Sequence, residues 1–276
     1  MTQSKQVQWY PGHMAKATRQ INEKIKLVDT VIEILDARVP KASQNPKIAD
    51  LLKKRKKNHI ILLNKSDLAD PVMTQKWIDE IKAKNNTTFV LAFTAYTRQC
   101  RTQLLKILQN IQSRRCLICG IPNVGKSAVI NTLANKKKAV TGNKPGVTKG
   151  QQWIQIDAKT MLLDTPGILW PKFDSERVGN ELAWIGSIKD TIFETENLAG
   201  ELVKFLCGRY PDRLQTRYEI DDISQKKPWE VFEMICDKKN LKLRGGVFDY
   251  ERAANMLLKD FKDGKFGRIT IDTFEA

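Results

Sequence analysis

Arg115-Cys116-Leu117-Ile118-Cys119-Gly120-Ile121-Pro122-Asn123-Val124-Gly125-Lys126-Ser127 is the stretch that decides the fold. Its first half is an apolar run that reads as a buried strand. Its second half fits the phosphate-loop pattern GxxxxGK[ST] at Gly120, Gly125, Lys126 and Ser127. Val129, Ile130 and Leu133 then follow helical spacing, so strand, loop and helix stand in the order that the motif requires. The glycines let the backbone wrap, and the loop N–H groups around Asn123, Val124 and Gly125 are expected to point at phosphate oxygens. The positive end of the following helix adds to that field. Lys126 is expected to reach the β- and γ-phosphates, and the Ser127 hydroxyl to bind Mg²⁺.

Downstream, Asp164-Thr165-Pro166-Gly167 closes another apolar run and matches DxxG. Asp164 is a candidate Mg²⁺ holder through a water, and the Gly167 N–H a candidate donor to the γ-phosphate. Thr148, in Lys144-Pro145-Gly146-Val147-Thr148, lies between the two motifs, where a switch threonine binding Mg²⁺ is expected. Upstream, Asn64-Lys65-Ser66-Asp67 follows an apolar run and reads as a guanine-recognition element. A carboxylate at Asp67 accepts from guanine N1–H and the 2-amino group together, and adenine offers neither donor. The Lys65 stem can stack on the base plane, and Asn64 can tie the base loop to the phosphate loop. Thr94-Ala95-Tyr96 follows the next strand, where a backbone N–H is expected to meet guanine O6. In the usual GTPase the phosphate loop comes first and NKxD late. Here NKSD precedes the phosphate loop, so the chain ends are moved and DxxG leads directly into the C-terminal third.

The rest of the chain divides in two. Met14, Thr18, Ile21, Ile25 and Val28 keep helical spacing behind Pro11-Gly12. Residues 30–35, 59–63, 89–93 and 116–119 read as strands, with helices around Trp77 and Leu104 between them, and 153–156 with 161–163 read as a hairpin. Near-continuous apolar strands alternating with helices predict an α/β fold with a mostly parallel sheet covered on both faces. Residues 1–172 are expected to form that domain. Beyond Trp170-Pro171 strand periodicity fades. Helical stripes at Leu198–Leu206, Val231–Ile235 and Tyr250–Phe261 predict a smaller all-α domain over 176–276.

At 276 residues with 41% apolar composition, the chain is long enough for two packed domains. No apolar run approaches the ~20 residues that span a bilayer, so no membrane role is expected. The short polar N-terminus carries no signal-like core, which reads as a cytoplasmic, bacterial rather than organellar, protein. The formal charge of +16, with runs such as Lys53–Lys57 and Lys136–Lys138, favours a polyanionic partner over a merely solvated basic surface. Five scattered cysteines argue against a disulfide framework. Cys116 and Cys119 form a lone CxxC on a predicted strand, which reads as buried packing rather than half of a zinc site.

The motif order resembles the circularly permuted GTPases. Tyr10-Pro11-Gly12-His13-Met14, Asp36-Ala37-Arg38-Val39-Pro40, Gly146-Val147-Thr148-Lys149, Arg252-Ala253-Ala254 and Gly264–Thr270 are similar, across essentially the whole chain, to the ribosome biogenesis GTPase A (YlqF/RbgA) family. The resemblance implies GTP/GDP as ligand, GTP hydrolysis, and a role in maturing the large ribosomal subunit, with that subunit and its rRNA as partners. No oligomer is required. The alternatives are a GTPase of small-subunit or tRNA processes, and an RNA-binding scaffold that holds GTP without turning it over.

Hydrolysis needs a positioned water and charge stabilisation. Many GTPases carry Gln directly after DxxG; here that position is Ile168, which offers no polar group. His13 is the leading internal candidate, and the resemblance suggests a catalytic histidine in this element; a structural or RNA contact at a helix start is the alternative. His59 opens an apolar strand and reads as structural. Asn123 resembles the asparagine of potassium-activated GTPases, which implies a K⁺ site, although asparagine also suits a turn. Because Gly167 stands close to the helical domain in sequence, loss of the γ-phosphate is expected to bias how that domain binds RNA, with Lys259, Lys262, Lys265 and Arg268 as candidate phosphate contacts.

Overall fold

The computed structural model describes residues 21–84, 88–134, 153–165, 175–188, 193–272 and 274. The chain separates into two compact units, Met1–Glu176 with Thr270–Ala276, and Arg177–Ile269.

The first unit is built on a six-stranded sheet of order β3-β2-β1-β4-β6-β5. The strands are β1 (Thr30–Asp36), β2 (Asn58–Asn64), β3 (Thr88–Ala92), β4 (Arg115–Cys119), β5 (Trp153–Gln155) and β6 (Met161–Leu163). All neighbours pair parallel except β5 with β6, the predicted hairpin. β1 is buried along its whole length, as a central strand covered on both faces must be. Val31 and Leu35 face one side, where Ile21, Ile25, Ile48 and Leu52 close one cluster and Trp77, Ile78 and Ile81 another. Ile32 and Ile34 alternate to the other side and are also fully buried.

Residues 21–25 are helical, and the unit further carries α1 (Pro40–Ser43), α2 (Pro46–Arg55), α3 (Pro71–Lys84), α4 (Arg98–Asn110) and α5 (Lys126–Ala134). The chain runs β1, β2, β3 outward on one side of β1, then crosses to place β4 on the other. The carboxyl ends of β1 and β4 therefore flank the switch point of the sheet, where ligands of open α/β sheets bind.

The segment from Thr270, within the expected bounds 176–276 of the helical domain, groups with the sheet instead. Asp70 N donates to Thr270 Oγ1 at 3.1 Å, and Ile271 N to the Arg38 carbonyl at 2.7 Å. Asp272 Oδ2 accepts from Lys41 N at 2.6 Å and Ala42 N at 3.0 Å, satisfying the open end of α1. Trp77 Nε1 donates to the Asp272 carbonyl, and its ring lies 4.3 Å from that of Phe274.

The second unit carries α6 (Glu176–Trp184), α7 (Thr195–Arg209), α8 (Pro211–Tyr218), α9 (Pro228–Lys238) and α10 (Tyr250–Lys262). Pro211 and Pro228 open their helices at the first turn, where no N–H is missed. Leu198, Leu202, Leu206, Val231, Ile235, Leu257 and Phe261 form its core. Asp249 caps α10 by accepting from Arg252 N at 3.0 Å. Asp260 is buried and held by Arg217 Nη2 at 2.6 Å and by the Tyr218 hydroxyl at 3.3 Å.

Candidate functional site

The loop Gly120–Ser127 leaves the carboxyl end of β4 and enters α5 at Lys126. Its backbone is unusual where the motif is glycine. Gly120 has φ +149, and a Cβ there would lie 2.4 Å from the Ile34 carbonyl oxygen of β1. Gly125 has φ +96, and its Cβ would meet Asn64 Nδ2 at 2.3 Å. The loop therefore packs against the ends of β1 and β2 so closely that no side chain fits. Asn123 turns at φ +61, a conformation asparagine tolerates.

Lys126 is buried and donates from Nζ to the Ile121 carbonyl at 2.7 Å. Burial pushes its ammonium down to about 8, against the opposing pull of the Asp164 carboxylate. Asp164 follows β6 and is itself buried; burial raises it, and Lys126 opposes that. Thr165 Oγ1 donates to the Ile118 carbonyl at 2.7 Å and pins this segment to β4. Ser127 stands half-buried on the first turn of α5. Ser127 and Asp164 offer a hydroxyl and a carboxylate, the hard oxygen donors that suit Mg²⁺, which takes few protein ligands beside phosphate and water.

Asn64 ends β2 and Asn64 Nδ2 donates to the Val124 carbonyl at 2.7 Å. Lys65 Nζ donates to the Asn123 carbonyl at 2.8 Å. Two side chains of NKSD thus stitch the base loop to the phosphate loop. Among the described residues, Asn64 Oδ1 is buried without a hydrogen-bond partner, an acceptor left open in this loop. Asp67 is exposed at the turn. Ser66 Oγ donates to the Phe93 carbonyl and lies 2.9 Å from Thr94 Oγ1, which brings Thr94-Ala95 to the same loop. Tyr96 N donates to Thr132 Oγ1 at 2.8 Å, tying that turn to α5.

Asn64, Lys65, Asn123 and Val124 are brought together by these bonds, with Gly125 against Asn64; Lys126 is brought to Asp164. His13, Thr148 and Gly167 lie outside the described residues. His59 pairs with Glu33 at 3.0 Å inside the sheet, away from the loops that carry these motifs. Cys116 and Cys119 are buried free thiols, and burial pushes the Cys116 thiol up to about 12, so it is an inert packing group. Lys259 is bonded to Asp263 at 2.8 Å, and Lys265 lies 3.8 Å from Asp260, so each faces a carboxylate of its own unit.

Two further groups stand beside the NKSD and phosphate-loop motifs, one of them in the Asp36–Pro40 stretch. Lys24 is buried, donates to the Asp164 carbonyl at 3.4 Å, and is lowered by burial while the Asp164 charge opposes that shift. Its signal was a lysine on the apolar stripe Ile21, Ile25, Val28. Asp36 lies 2.9 Å from Lys65 Nζ and is gripped by Arg38. Its signal was a carboxylate closing an apolar strand.

The chain matches a family model described as 50S ribosome-binding GTPase over residues 115–229, which begins at the phosphate-loop strand and leaves NKSD upstream. It is 43% identical over 282 residues to the ribosome biogenesis GTPase A of Priestia megaterium, covering 96% of each chain. It is 40% identical to that of Bacillus cereus, covering 98% of this chain and 94% of the relative. Among solved structures it is similar to GDP-bound TM YlqF, with TM-score 0.70, 31% identity, and coverage of 94% of this chain and 100% of that one. It is also similar to GNP-bound YlqF from T. maritima, with TM-score 0.68, 32% identity, and coverage of 93% and 97%.

Proposed function

The chain belongs to the ribosome biogenesis GTPase A (YlqF/RbgA) family, and from that premise we propose that it binds GTP between NKSD and the phosphate loop and hydrolyses it while maturing the large ribosomal subunit. The observation that carries this reading is the pair of bonds from Asn64 to Val124 and from Lys65 to Asn123. A base read by Asp67 and phosphates wrapped by residues 120–127 then belong to one molecule. Thr94 and Ala95 border the base, and Gly125 and Lys126 the phosphates.

Ser127 and Asp164 hold Mg²⁺ in this reading, with Thr148 joining when the γ-phosphate is present. When bound, the metal neutralises charge on the β- and γ-phosphate oxygens. The Lys126 ammonium takes the same charge from the loop side, and the Gly167 N–H follows the γ-phosphate. His13 orients the attacking water in the place of the absent glutamine, and Asn123 supports a K⁺ ion beside the phosphates.

The partner is the large subunit and its rRNA, bound in the GTP form and released on hydrolysis. The +16 charge supports a polyanionic partner, and the 50S-binding description of the family model supports this one. Turnover is slow alone and stimulated by the particle. The chain's similarity to bacterial ribosome biogenesis GTPases supports action in the cytoplasm.

Cosedimentation with isolated large and small subunits, in GDP, in a non-hydrolysable GTP analogue and in ATP, tests the reading. Binding to the large subunit with the GTP analogue alone, weakening steeply with salt, is the expected result. Equal binding to both subunits, or equal response to ATP, overturns it.

A further inference from the structure

Asp36 and Asn64 are the last residues of β1 and β2, and the parallel register sets them side by side. That pairing delivers the Asp36 carboxylate to the start of the base loop. Asp36 is fully buried. Its Oδ1 accepts from Arg38 N at 3.1 Å and from Arg38 Nε at 2.9 Å. Its Oδ2 accepts from Arg38 Nη2 at 2.9 Å and lies 2.9 Å from Lys65 Nζ. One buried carboxylate therefore serves two cations.

Arg38 alone already grips both oxygens in the bidentate manner that satisfies a buried carboxylate. A pair that served packing only would stop there. The second cation is the one that reaches the site: Lys65 spans from Asp36 to the Asn123 carbonyl, and its side chain is a quarter exposed while Asp36 and Arg38 are closed off. Lys65 also sits at φ +59, a backbone turn that a long side chain does not favour by itself. The seat is braced from behind. Asp36 N donates to Ser43 Oγ at 3.1 Å, and the Arg38 carbonyl accepts from Ile271 N of the returning C-terminal segment. Burial raises the Asp36 carboxyl, but the Arg38 and Lys65 charges outweigh it and hold it ionised.

We propose that Asp36 is a positioning residue of the guanine site: gripped by Arg38, it holds the Lys65 ammonium against the phosphate-loop carbonyl, so that the lysine stem is already set where the base plane packs. This rests on the reading of NKSD as the base-recognition element. Asp36 acts at the base end only, so it contributes equally to GDP and GTP.

The experiment is a double-mutant cycle on the full chain, with Asp36→Asn, Lys65→Met and the pair, read as affinities for fluorescent GDP and GTP. Lys65→Met keeps the apolar stem and removes the ammonium. Asp36→Asn is expected to weaken both nucleotides about tenfold, with their ratio unchanged. In the Lys65→Met background the same change is expected to do nothing further. Additive losses, or affinities within twofold of the parent, overturn the inference. Should Asp36→Asn fail to fold because Arg38 is left uncompensated, Asp36→Asn with Arg38→Gln removes both charges and enters the same cycle. Competition by ADP on the parent separates the two levels. Parent protein that holds ADP as tightly as GDP defeats the guanine reading itself, whereas guanine-selective parent with additive losses defeats only the role of Asp36.

Discussion

Asn64 and Val124 lie 60 positions apart in sequence, and the Asn64 Nδ2 donates to the Val124 carbonyl at 2.7 Å. This bond joins two motifs whose order along the chain is inverted. The sheet order explains why inversion costs nothing in geometry. β2, which delivers NKSD, and β4, which delivers the phosphate loop, both flank β1, so both loops emerge at one edge whichever is synthesised first.

The same contact predicts the effect of Gly125→Ala. The new methyl group would lie 2.3 Å from Asn64 Nδ2, at a backbone φ of +96. Strain at such a position costs about 1–3 kcal/mol, and the Asn64 bond must also shift. GDP affinity is expected to fall about 10- to 100-fold in calorimetry. An unchanged affinity would show that the two loops are not coupled through this approach.

Asp67→Asn should change which base is held rather than whether a nucleotide is held. Guanine presents donors at N1 and the 2-amino group to the carboxylate, whereas xanthine presents a carbonyl at that second position, which an amide N–H can meet. Leaving a base donor unpaired costs about 1–3 kcal/mol. GTP affinity is expected to drop about 10- to 100-fold and XTP affinity to rise. A variant that loses GTP and ATP analogues alike would place Asp67 outside base recognition.

Turnover separates two further residues. His13→Ala is expected to leave GDP affinity close to that of the parent while particle-stimulated GTP hydrolysis falls about 100-fold, within the range of a positioned general acid–base group. Equal losses in affinity and rate would return His13 to a structural role. If Asn123 supports a potassium ion, the parent hydrolyses GTP faster in KCl than in NaCl at equal ionic strength, and equal rates remove the ion.

The motifs were legible because each is a local run whose chemistry depends on its own backbone. The apolar strands were legible for the same reason, to within a residue or two at their ends. β1 runs one residue past the expected 30–35: Asp36 pairs with Asn64 but is polar, and its burial is decided by Arg38 and Lys65 rather than by its own hydropathy. α2 was hidden inside a basic run, where Ile48 and Leu52 are the buried anchors among its described side chains, between a proline and Lys53–Lys57. α6 and α8 are 9 and 8 residues long, too short for a stripe to stand out. The return of Thr270–Phe274 to the sheet was not legible at all: its bonds to Arg38, Lys41, Ala42, Asp70 and Trp77 join segments about 200 positions apart. Lys24 was visible as a lysine on an apolar stripe, but only the fold shows the carboxylate it faces.

That returning segment has a stability consequence. Asp272 Oδ2 accepts from Lys41 N and Ala42 N, the first N–H groups of a helix only 4 residues long. Removing such a cap costs about 1–2 kcal/mol. Asp272→Ala is expected to lower the unfolding free energy of the sheet unit by that amount in urea, with Asp272→Asn intermediate because its amide oxygen still accepts. Equal stabilities of all three proteins would show that the segment does not cap α1.

Asp36 supplies a pH signature. Its carboxyl is held well below the ordinary value of 3.8, because the Arg38 and Lys65 charges outweigh the effect of burial. Between the folded value and 3.8 the unfolded chain binds more protons than the folded one, so stability rises with pH across that window. The contribution is complete above about pH 5 and is lost as pH falls below 3.8 towards the folded value. Asp36→Asn lacks this slope, and it leaves Arg38 and Lys65 without their counter-charge, which costs about 3 kcal/mol at neutral pH. Carboxylates other than Asp36 are common to both proteins and cancel in the difference. Urea unfolding of parent and variant from pH 7 down to pH 3 is expected to show a constant gap above about pH 5 that narrows on acidification. A gap that stays constant to pH 3, or widens, would mean that the folded carboxyl is not depressed and that the Arg38–Asp36–Lys65 cluster is not the charge-balanced unit its distances describe.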